Sequence, residues 1–505
     1  MRSLNLRRRA ATLAGAGVLA AALLAGCGAA VTSDSDSGST TTGVQVAAST
    51  GSPTTVEEAL AGDIDVEAGD TSYDESEVID ITLDGDTATS DSDVVTVDGD
   101  TVTITAAGTY RLSGSLDGQV VVDSSGDGAV RLILDDADIR SDSSAAIAVT
   151  DAESVVVVLA DGSSNSVADA SSYDDTSEDA ATGALWSTAD LTIGGTGSLT
   201  VTGNSNDSIV GKDGLVISGG TIAVASVDDG VRGKDYVAIT GGDLTVDATG
   251  DAIKSDNETD AGTGFVLVEG GTITVTSEDD GIKGTQQVLV SGGTIDVAES
   301  MEAMEGSTVI IDGGDLTLHS ADDGLNVSGG SSSGDSAQGG GDMSADTSLQ
   351  LWINGGDLAV WSSGDGLDSN GYATITGGTI TVNGPTTDGN AALDVNGTLE
   401  ISGGTLVALG SAGMAEAPEA DSSQAWIAAT LDSAGAAGST IAITDSDGKV
   451  IVEQVADKDF ASVVFSSEQV ESGATYTVSV DGVEVATVNA GEAPAGGMGN
   501  GPMGG

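Results

Sequence analysis

One phrase recurs three times between residues 219 and 284. It reads Gly219-Gly220-Thr221-Ile222-Ala223-Val224 with Asp228-Asp229-Gly230-Val231-Arg232-Gly233-Lys234, then Gly241-Gly242-Asp243-Leu244-Thr245-Val246 with Gly250-Asp251-Ala252-Ile253-Lys254-Ser255-Asp256. The third copy is Gly270-Gly271-Thr272-Ile273-Thr274-Val275 with Asp279-Asp280-Gly281-Ile282-Lys283-Gly284. Working outward, glycine pairs stand at 194, 219, 241, 270, 292, 313, 355, 377 and 403; steps of 21 or 22 residues recur, and the longer steps carry insertions. Fixed-period self-similarity marks a repeat architecture.

Each repeat holds three apolar columns. After the glycine pair come Ile222 and Val224, Leu244 and Val246, Ile273 and Val275, Ile295 and Val297, Leu316 and Leu318, Leu358 and Val360, and Ile380 and Val382, with Thr, Asp or Ala between them. That alternation is a strand with one buried face. A second column, Ile217, Ile239, Val268, Val290, Ile311, Ile353, Ile375 and Ile401, precedes the pairs, and a third, Val231, Ile253, Ile282, Met304, Leu325, Leu367 and Leu393, follows the acidic turn. Three short strands in 21 or 22 residues are too few for a propeller blade and right for one coil of a parallel β-helix. The fold class is therefore all-β, a parallel β-helix solenoid.

The chain opens with Arg2, Arg7, Arg8 and Arg9, an Ala/Leu/Gly run and Leu24-Ala25-Gly26-Cys27, the layout of a secretory signal over residues 1–26. The last four residues resemble a bacterial lipobox, and Cys27 is the only cysteine. Lipidation at Cys27 would make an extracytoplasmic, membrane-anchored lipoprotein; ordinary cleavage beside an incidental cysteine is the plainer alternative. Removing that segment takes away four arginines and no acid, leaving ten bases against 80 acids and a formal charge of −70. Such a surface repels nucleic acid and attracts cations. Residues 27–75, rich in Ser, Thr, Gly and Asp, read as a disordered tether. The solenoid is expected over 76–415, with a mobile insertion at 329–348, an antiparallel β cap over 420–490 carrying turns at Asp447-Gly448 and Asp481-Gly482, and a disordered tail over 491–505.

The run Ile104 to Gly114 (with Gly108-Thr109-Tyr110-Arg111), Gly118 to Asp123, Val130 to Asp136 and Ala145 to Ile147 is distinctive, and Asn206-Asp207, Asp229 to Asp235 and Asp251 to Asn257 continue it. Over about residues 75 to 485 the chain resembles secreted bacterial carbohydrate-binding domain-containing proteins. The resemblance implies a right-handed parallel β-helix, calcium at acidic turns, binding of cellulose and pectin-like polymers, and a fold shared with polysaccharide lyases without established lyase activity. The pattern departs at Glu302 and at Asn390-Ala391-Ala392-Leu393-Asp394, which puts an ion at those coils in doubt.

Catalytic options are narrow. His319 is the single histidine, flanked by Leu318 and Ser320 in an outward strand position; a triad built on it is not expected. Zinc needs His or Cys in numbers, and no phosphate-binding Gly-x-x-x-x-Gly-Lys-Ser loop is present. The acidic turns are the positive signal. Stacking places Asp207, Asp229, Asp251, Asp280, Glu302 and Asp323 in one column with Asp228, Asp279 and Asp322 beside it, and Asp365 continues the series. Lys212, Arg232, Lys234, Lys254 and Lys283 fall in the same turns as counter-ions, and from Glu302 onward no such partner follows. Clustered oxygen ligands suit calcium. Asp-Gly is also simply good turn chemistry, and both readings stand.

For sugar contact the aromatic candidates are Trp186, Tyr236, Trp352, Trp361 and Tyr372; alternation against Leu351, Ile353 and Val360 points Trp352 and Trp361 outward. These two could equally pack under the insertion. The expected function is a surface-anchored, non-catalytic, calcium-bearing binder of a cellulose- or polygalacturonate-like polysaccharide. A calcium-dependent polysaccharide lyase and a structural envelope protein or adhesin are the alternatives.

Overall fold

The computed structural model describes residues 52–62, 64–173, 177, 180–329 and 345–493. The signal segment with Cys27, most of the insertion and the final Gly/Met tail lie outside them.

Three ladders of parallel strands wind the chain into a β-solenoid. In the first, Ile222 pairs with Leu244, Ile273, Ile295, Leu316, Leu358, Ile380 and Leu406 in turn. The second aligns Ile217 through Ile239, Val268, Val290, Ile311, Ile353, Ile375 and Ile401. The third aligns Ile209 through Val231, Ile253, Ile282, Met304, Leu325, Leu367 and Leu393. All three columns are buried in one continuous core, so the periodic apolar positions in the sequence are the inward positions of the coil.

The glycine pairs have a steric cause. Gly242 has φ of 92°, and a Cβ there would come within 2.9 Å of the Gly220 carbonyl oxygen of the preceding coil. A left-handed corner pressed against the coil below admits only glycine without strain.

After the last coil the pairing changes sign. Thr405–Gly410 pairs antiparallel with Phe460–Ser466, which also pairs with Trp426–Gly435. Trp426, Ala428 and Val464 join the solenoid core. A separate four-stranded antiparallel sheet, Val450–Val455, Thr440–Asp445, Thr475–Val480 and Val483–Asn489, shares an apolar cluster with those strands in which Ile443 and Val478 join Val407, Ile427 and Phe465. The Asp481-Gly482 turn joins two of these strands with φ positive at both residues, 49° and 76°, as a tight hairpin turn requires.

The structure corrects one boundary. The expected disordered tether does not extend to residue 75. Thr55 caps a short helix, Val56–Leu60, whose Val56 and Ala59 bury against Val216, Ala238, Leu267, Leu289 and Ile310. From there the chain crosses the coils: the Asn354 amide donates to the Thr54 carbonyl, the Glu67 N–H to the Tyr236 hydroxyl, the Gly69 N–H to Thr192, and Arg131 to the Asp70 carbonyl. Tyr73 then packs by Ile133, Val156 and Val158. This strap covers the outward side of the strands that precede the glycine pairs, which explains why those strands are apolar on both faces.

Candidate functional site

The acidic column is built by the turn that enters the third ladder. Each acid lies two residues before an inward apolar residue, so its carboxyl sits at a buried corner. Asp207, Asp229, Asp251 and Asp280 are each at most 5% exposed. Each of the first three accepts the backbone N–H of its equivalent in the next coil, Asp229, Asp251 and Asp280, at 3.2, 2.9 and 3.1 Å. Asp323 does the same for Asp365 at 2.6 Å, and Asp365 for Ala391. Asp228, Asp279 and Asp322 stand exposed beside the column. The buried acids therefore tie each coil to the next rather than closing their own turns.

A second column, three residues on, decides which carboxylates are neutralised. Its register runs Val210, Arg232, Lys254, Lys283, Glu305, Asn326, Asp368 and Asp394. Arg232 reaches Asp207 at 3.3 Å and also Asp256; Lys254 reaches Asp251 at 2.6 Å and Asp229 at 3.2 Å; Lys283 reaches Asp280 at 2.7 Å and also Glu305. Burial disfavours the charged form of Lys254, but the Asp251 and Asp229 carboxylates outweigh it and raise its pKa; Lys283 is raised likewise beside Asp280 and Glu305.

Past Glu305 the second column holds no base. Asp365, Asp368 and Asp394 bring carboxylate oxygens within 4.8 Å of one another, and no ion pair reaches them among the described residues. Burial first, then the charges of Asp323, Asp394 and Asp365, push Asp368 up to about 9. Burial likewise pushes Asp323 to about 7, Asp365 to about 6 and Glu416 to about 7. Asn326, 9% exposed, donates its amide N–H to Glu302 at 2.7 Å while its buried Oδ1 has no hydrogen-bond partner among the described residues. Two other acidic groupings, Asp251 with Asp279 and Asp280, and Asp280 with Glu302 and Glu305, are occupied by the ammonium groups of Lys254 and Lys283.

The acids named from the sequence divide into two groups. Asp207, Asp229, Asp251 and Asp280 carry protein counter-ions, whereas Asp323 and Asp365 join Asp368 and Asp394, of which the first was missed and the second doubted. The loss of Lys or Arg from Glu302 onward is visible in the sequence, but not that Asp368 takes the register position those bases held.

The aromatic candidates divide. Tyr236 is 6% exposed, stacked on Phe265 at 5.2 Å beneath the strap, and Trp186 is 3% exposed among Ala145, Ala148 and Val210. Neither is an exposed stacking surface: strand alternation turned them out of the core, but a second layer covers them. Trp352 is half-buried against the strap cluster. Trp361 stays partly exposed, stacks on His319 with centroids 4.6 Å apart, and donates its indole N–H to Asp457 at 3.2 Å. With Glu299, Ser300 and Lys458 this ring pair lines a cavity of about 350 Å³. Tyr372 is half-exposed. Lys458 donates to the Ser362 and Asn383 carbonyls, and burial lowers its pKa.

The coils and their acid columns define a repeat β-solenoid with a polar, cation-attracting corner. Residues 98–350 match the family of carbohydrate-binding domain-containing proteins, and the chain belongs to that family. A carbohydrate-binding domain-containing protein of Acetivibrio thermocellus is 39% identical over 124 residues, 24% of this chain and 43% of that relative. The chain thus spans less than half the length of that relative. A solved structure, the polysaccharide lyase-like protein from C. thermocellum as a gadolinium derivative, is 31% identical, covering 50% of this chain and 97% of that one with a TM-score of 0.39.

Proposed function

We propose that this protein is a non-catalytic, surface-anchored polysaccharide binder that holds calcium at Asp365, Asp368 and Asp394, with Asp323 beside them. The observation that carries the reading is the unneutralised half of the acid ladder in a carbohydrate-binding family member. Two carboxylates 4.8 Å apart repel by about 3.5 kcal/mol at an effective dielectric near 20. The donors are all oxygen, they set in irregular turns, and Asn326 Oδ1 is a further unpartnered acceptor nearby in the same column. That set fits a hard cation of loose geometry, calcium before magnesium. Calcium there would neutralise the carboxylates and attract the hydroxyl or carboxylate oxygens of a glycan.

The Trp361–His319 pair is the flat apolar surface for a pyranose ring, and a cellulose- or polygalacturonate-like chain is the partner. Attachment through a lipid on Cys27, outside the cytoplasm, a right-handed coil, the common hand of parallel crossovers, and end-closure by the C-terminal strands complete the reading. Lys254 and Lys283 support a non-catalytic role, since a general base must lose its proton readily and both are held charged. Lys458 favours the rival lyase reading, because burial lowers its pKa.

Pull-down on insoluble polysaccharides, with calcium and with chelator, tests the binding. Incubation with polygalacturonate and calcium should give no unsaturated sugar ends; product that vanishes in Lys458→Ala would establish the lyase instead. Cys27→Ser should leave the membrane fraction or remain unprocessed, and unaltered membrane association would refute the anchor.

A further inference from the structure

In a chain of formal charge −66, an unpaired cation is the unusual feature. Among the described residues nearly every basic side chain has a partner. Arg111 meets Glu75, Arg140 meets Asp138, and Arg232, Lys254 and Lys283 hold the acid column. Arg131, Lys449 and Lys458 are taken by hydrogen bonds. Lys212 and Lys234 are the exceptions, with no ion pair or side-chain hydrogen bond among the described residues.

These two lysines are neighbours by construction. Gly211 pairs with Gly233, and the Lys234 N–H donates to the Gly211 carbonyl at 2.9 Å, so the lysines leave equivalent corners of successive coils, one strand spacing of about 4.8 Å apart. Two ammonium groups so placed repel each other and together favour an anion. The acids that follow them form no ion pair with either lysine among the described residues, and Asp235 instead accepts the Asn257 amide at 2.7 Å.

Both lysines rim a cavity of about 520 Å³ whose wall includes Trp186, Val210, Arg232 and Asp256. Two buried polar atoms there lack partners, the Trp186 indole N–H and Asp256 Oδ1. Asp256 spends its other oxygen on Arg232, and Trp186 is 97% buried by its 3% exposure. The cavity thus offers two free cations, one spare donor, one spare acceptor and the apolar face of Val210. An anion alone would use the cations; a sugar bearing an acidic group would use every one of these features, its hydroxyls meeting the indole N–H and the carboxylate oxygen.

We propose that Lys212 and Lys234 form a subsite for the acidic group of an anionic sugar, with Trp186 and Asp256 hydrogen-bonding its hydroxyls. This deepens the polysaccharide-binding reading and rests on it. The subsite lies several coils from Asp368, so it binds the acidic group directly, without a bridging cation.

Calorimetric titration of the intact protein in chelator, with oligogalacturonate, a sulfated oligosaccharide, a neutral cello-oligosaccharide and inorganic phosphate, tests it. Lys212→Gln/Lys234→Gln should weaken oligogalacturonate roughly tenfold to a hundredfold, the loss expected for charge-assisted hydrogen bonds, and flatten its salt dependence. Neutral-glycan binding and melting temperature should not change, since neither lysine has a structural partner. Trp186→Phe, which keeps the bulk and removes the N–H, should weaken the same ligand without altering the salt dependence. A stronger effect on the sulfated than on the carboxylated ligand would identify the acidic group as sulfate. Equal oligogalacturonate affinity in the double variant overturns the subsite, as does phosphate binding as tight as that of the sugar. A wild-type protein that binds neutral glycan and no anionic one overturns this inference alone; one that binds no glycan overturns the polysaccharide reading with it.

Discussion

Lys254 and Asp368 occupy the same outward register position, linked through Lys283, Glu305 and Asn326, and the charge at that position reverses between them. The acid three residues earlier barely changes, from Asp251 to Asp365, so one column sets whether a carboxylate is neutralised from within or left without an ion pair.

That reversal makes calcium-dependent stability local. Millimolar calcium should raise the melting temperature and chelator lower it, because a ligand that binds only the folded state stabilises it by linkage. In Asp368→Asn the calcium increment should shrink to near zero while the chelated protein becomes more stable than wild type, because the wild-type carboxyl must take up a proton to fold at neutral pH. A melting curve indifferent to calcium in the wild-type protein would end the metal reading.

At the other end, Lys254→Ala leaves Asp229 and Asp251 facing each other without their ion-pair partner. Breaking a largely buried pair this way should cost about 2–4 kcal/mol in denaturant titration. Replacing all three residues, Asp229→Asn, Asp251→Asn and Lys254→Met, should recover most of the loss, since the asparagines still accept the N–H of the next coil. No recovery would mean that the charges themselves hold the coils together.

Asp190 supplies a pH signature away from the metal candidates. Burial first, then the charges of Asp213, Glu67 and Asp235, push it from 3.8 up to about 6, although the Gly214 N–H donates to it. Ionisation is thus harder in the folded state, so its stabilising contribution is complete below the unfolded pKa and is lost as pH rises through about 6. Asp190→Asn should remove that decline between pH 4 and 6 and raise the neutral-pH melting temperature by about 2 °C or more. A variant that melts with an unchanged pH profile would exclude this carboxyl as the source.

Trp361→Ala should reduce retention on insoluble polysaccharide about tenfold or more, as truncation of a central aromatic anchor does, with little change in melting temperature because the ring lies outside the core. Retention equal to wild type would move the sugar surface elsewhere on the solenoid.

Much of the fold could be read from the chain because each inward residue is a single-position signal repeated at every coil: Ile222, Leu244 and Ile273 announce one column, and Gly220, Gly242 and Gly271 the corner beside it. The strap could not be read that way. Its apolar residues, Val56, Ala59, Leu60, Ile64 and Val66, occur once and lie in a stretch of polar composition. The clue was on the other partner, where Phe265-Val266-Leu267-Val268 and Val309-Ile310-Ile311 are apolar at consecutive positions and so need cover on both sides. The same omission bears on Tyr236, a candidate for sugar contact that is found under the strap. At the acid ladder, residue type was legible but pairing was not, because Lys254 reaches Asp229 only through the register of stacked coils.

The strap also changes how the molecule would bear force. In a stack whose coils touch only their neighbours, each interface fails by itself. Here one segment is fastened to coils as far apart as those of Asn354 and Arg131. Tension applied at residue 52 meets the Asn354 end first and runs down the strap towards Asp70, so the contacts peel one at a time, releasing about 3.3 Å of chain per residue. The solenoid itself carries no load until that slack is spent. The strap is a tear-strip ahead of the coils: a sudden pull is spent on peeling it, and the acidic corners keep their register while it lasts.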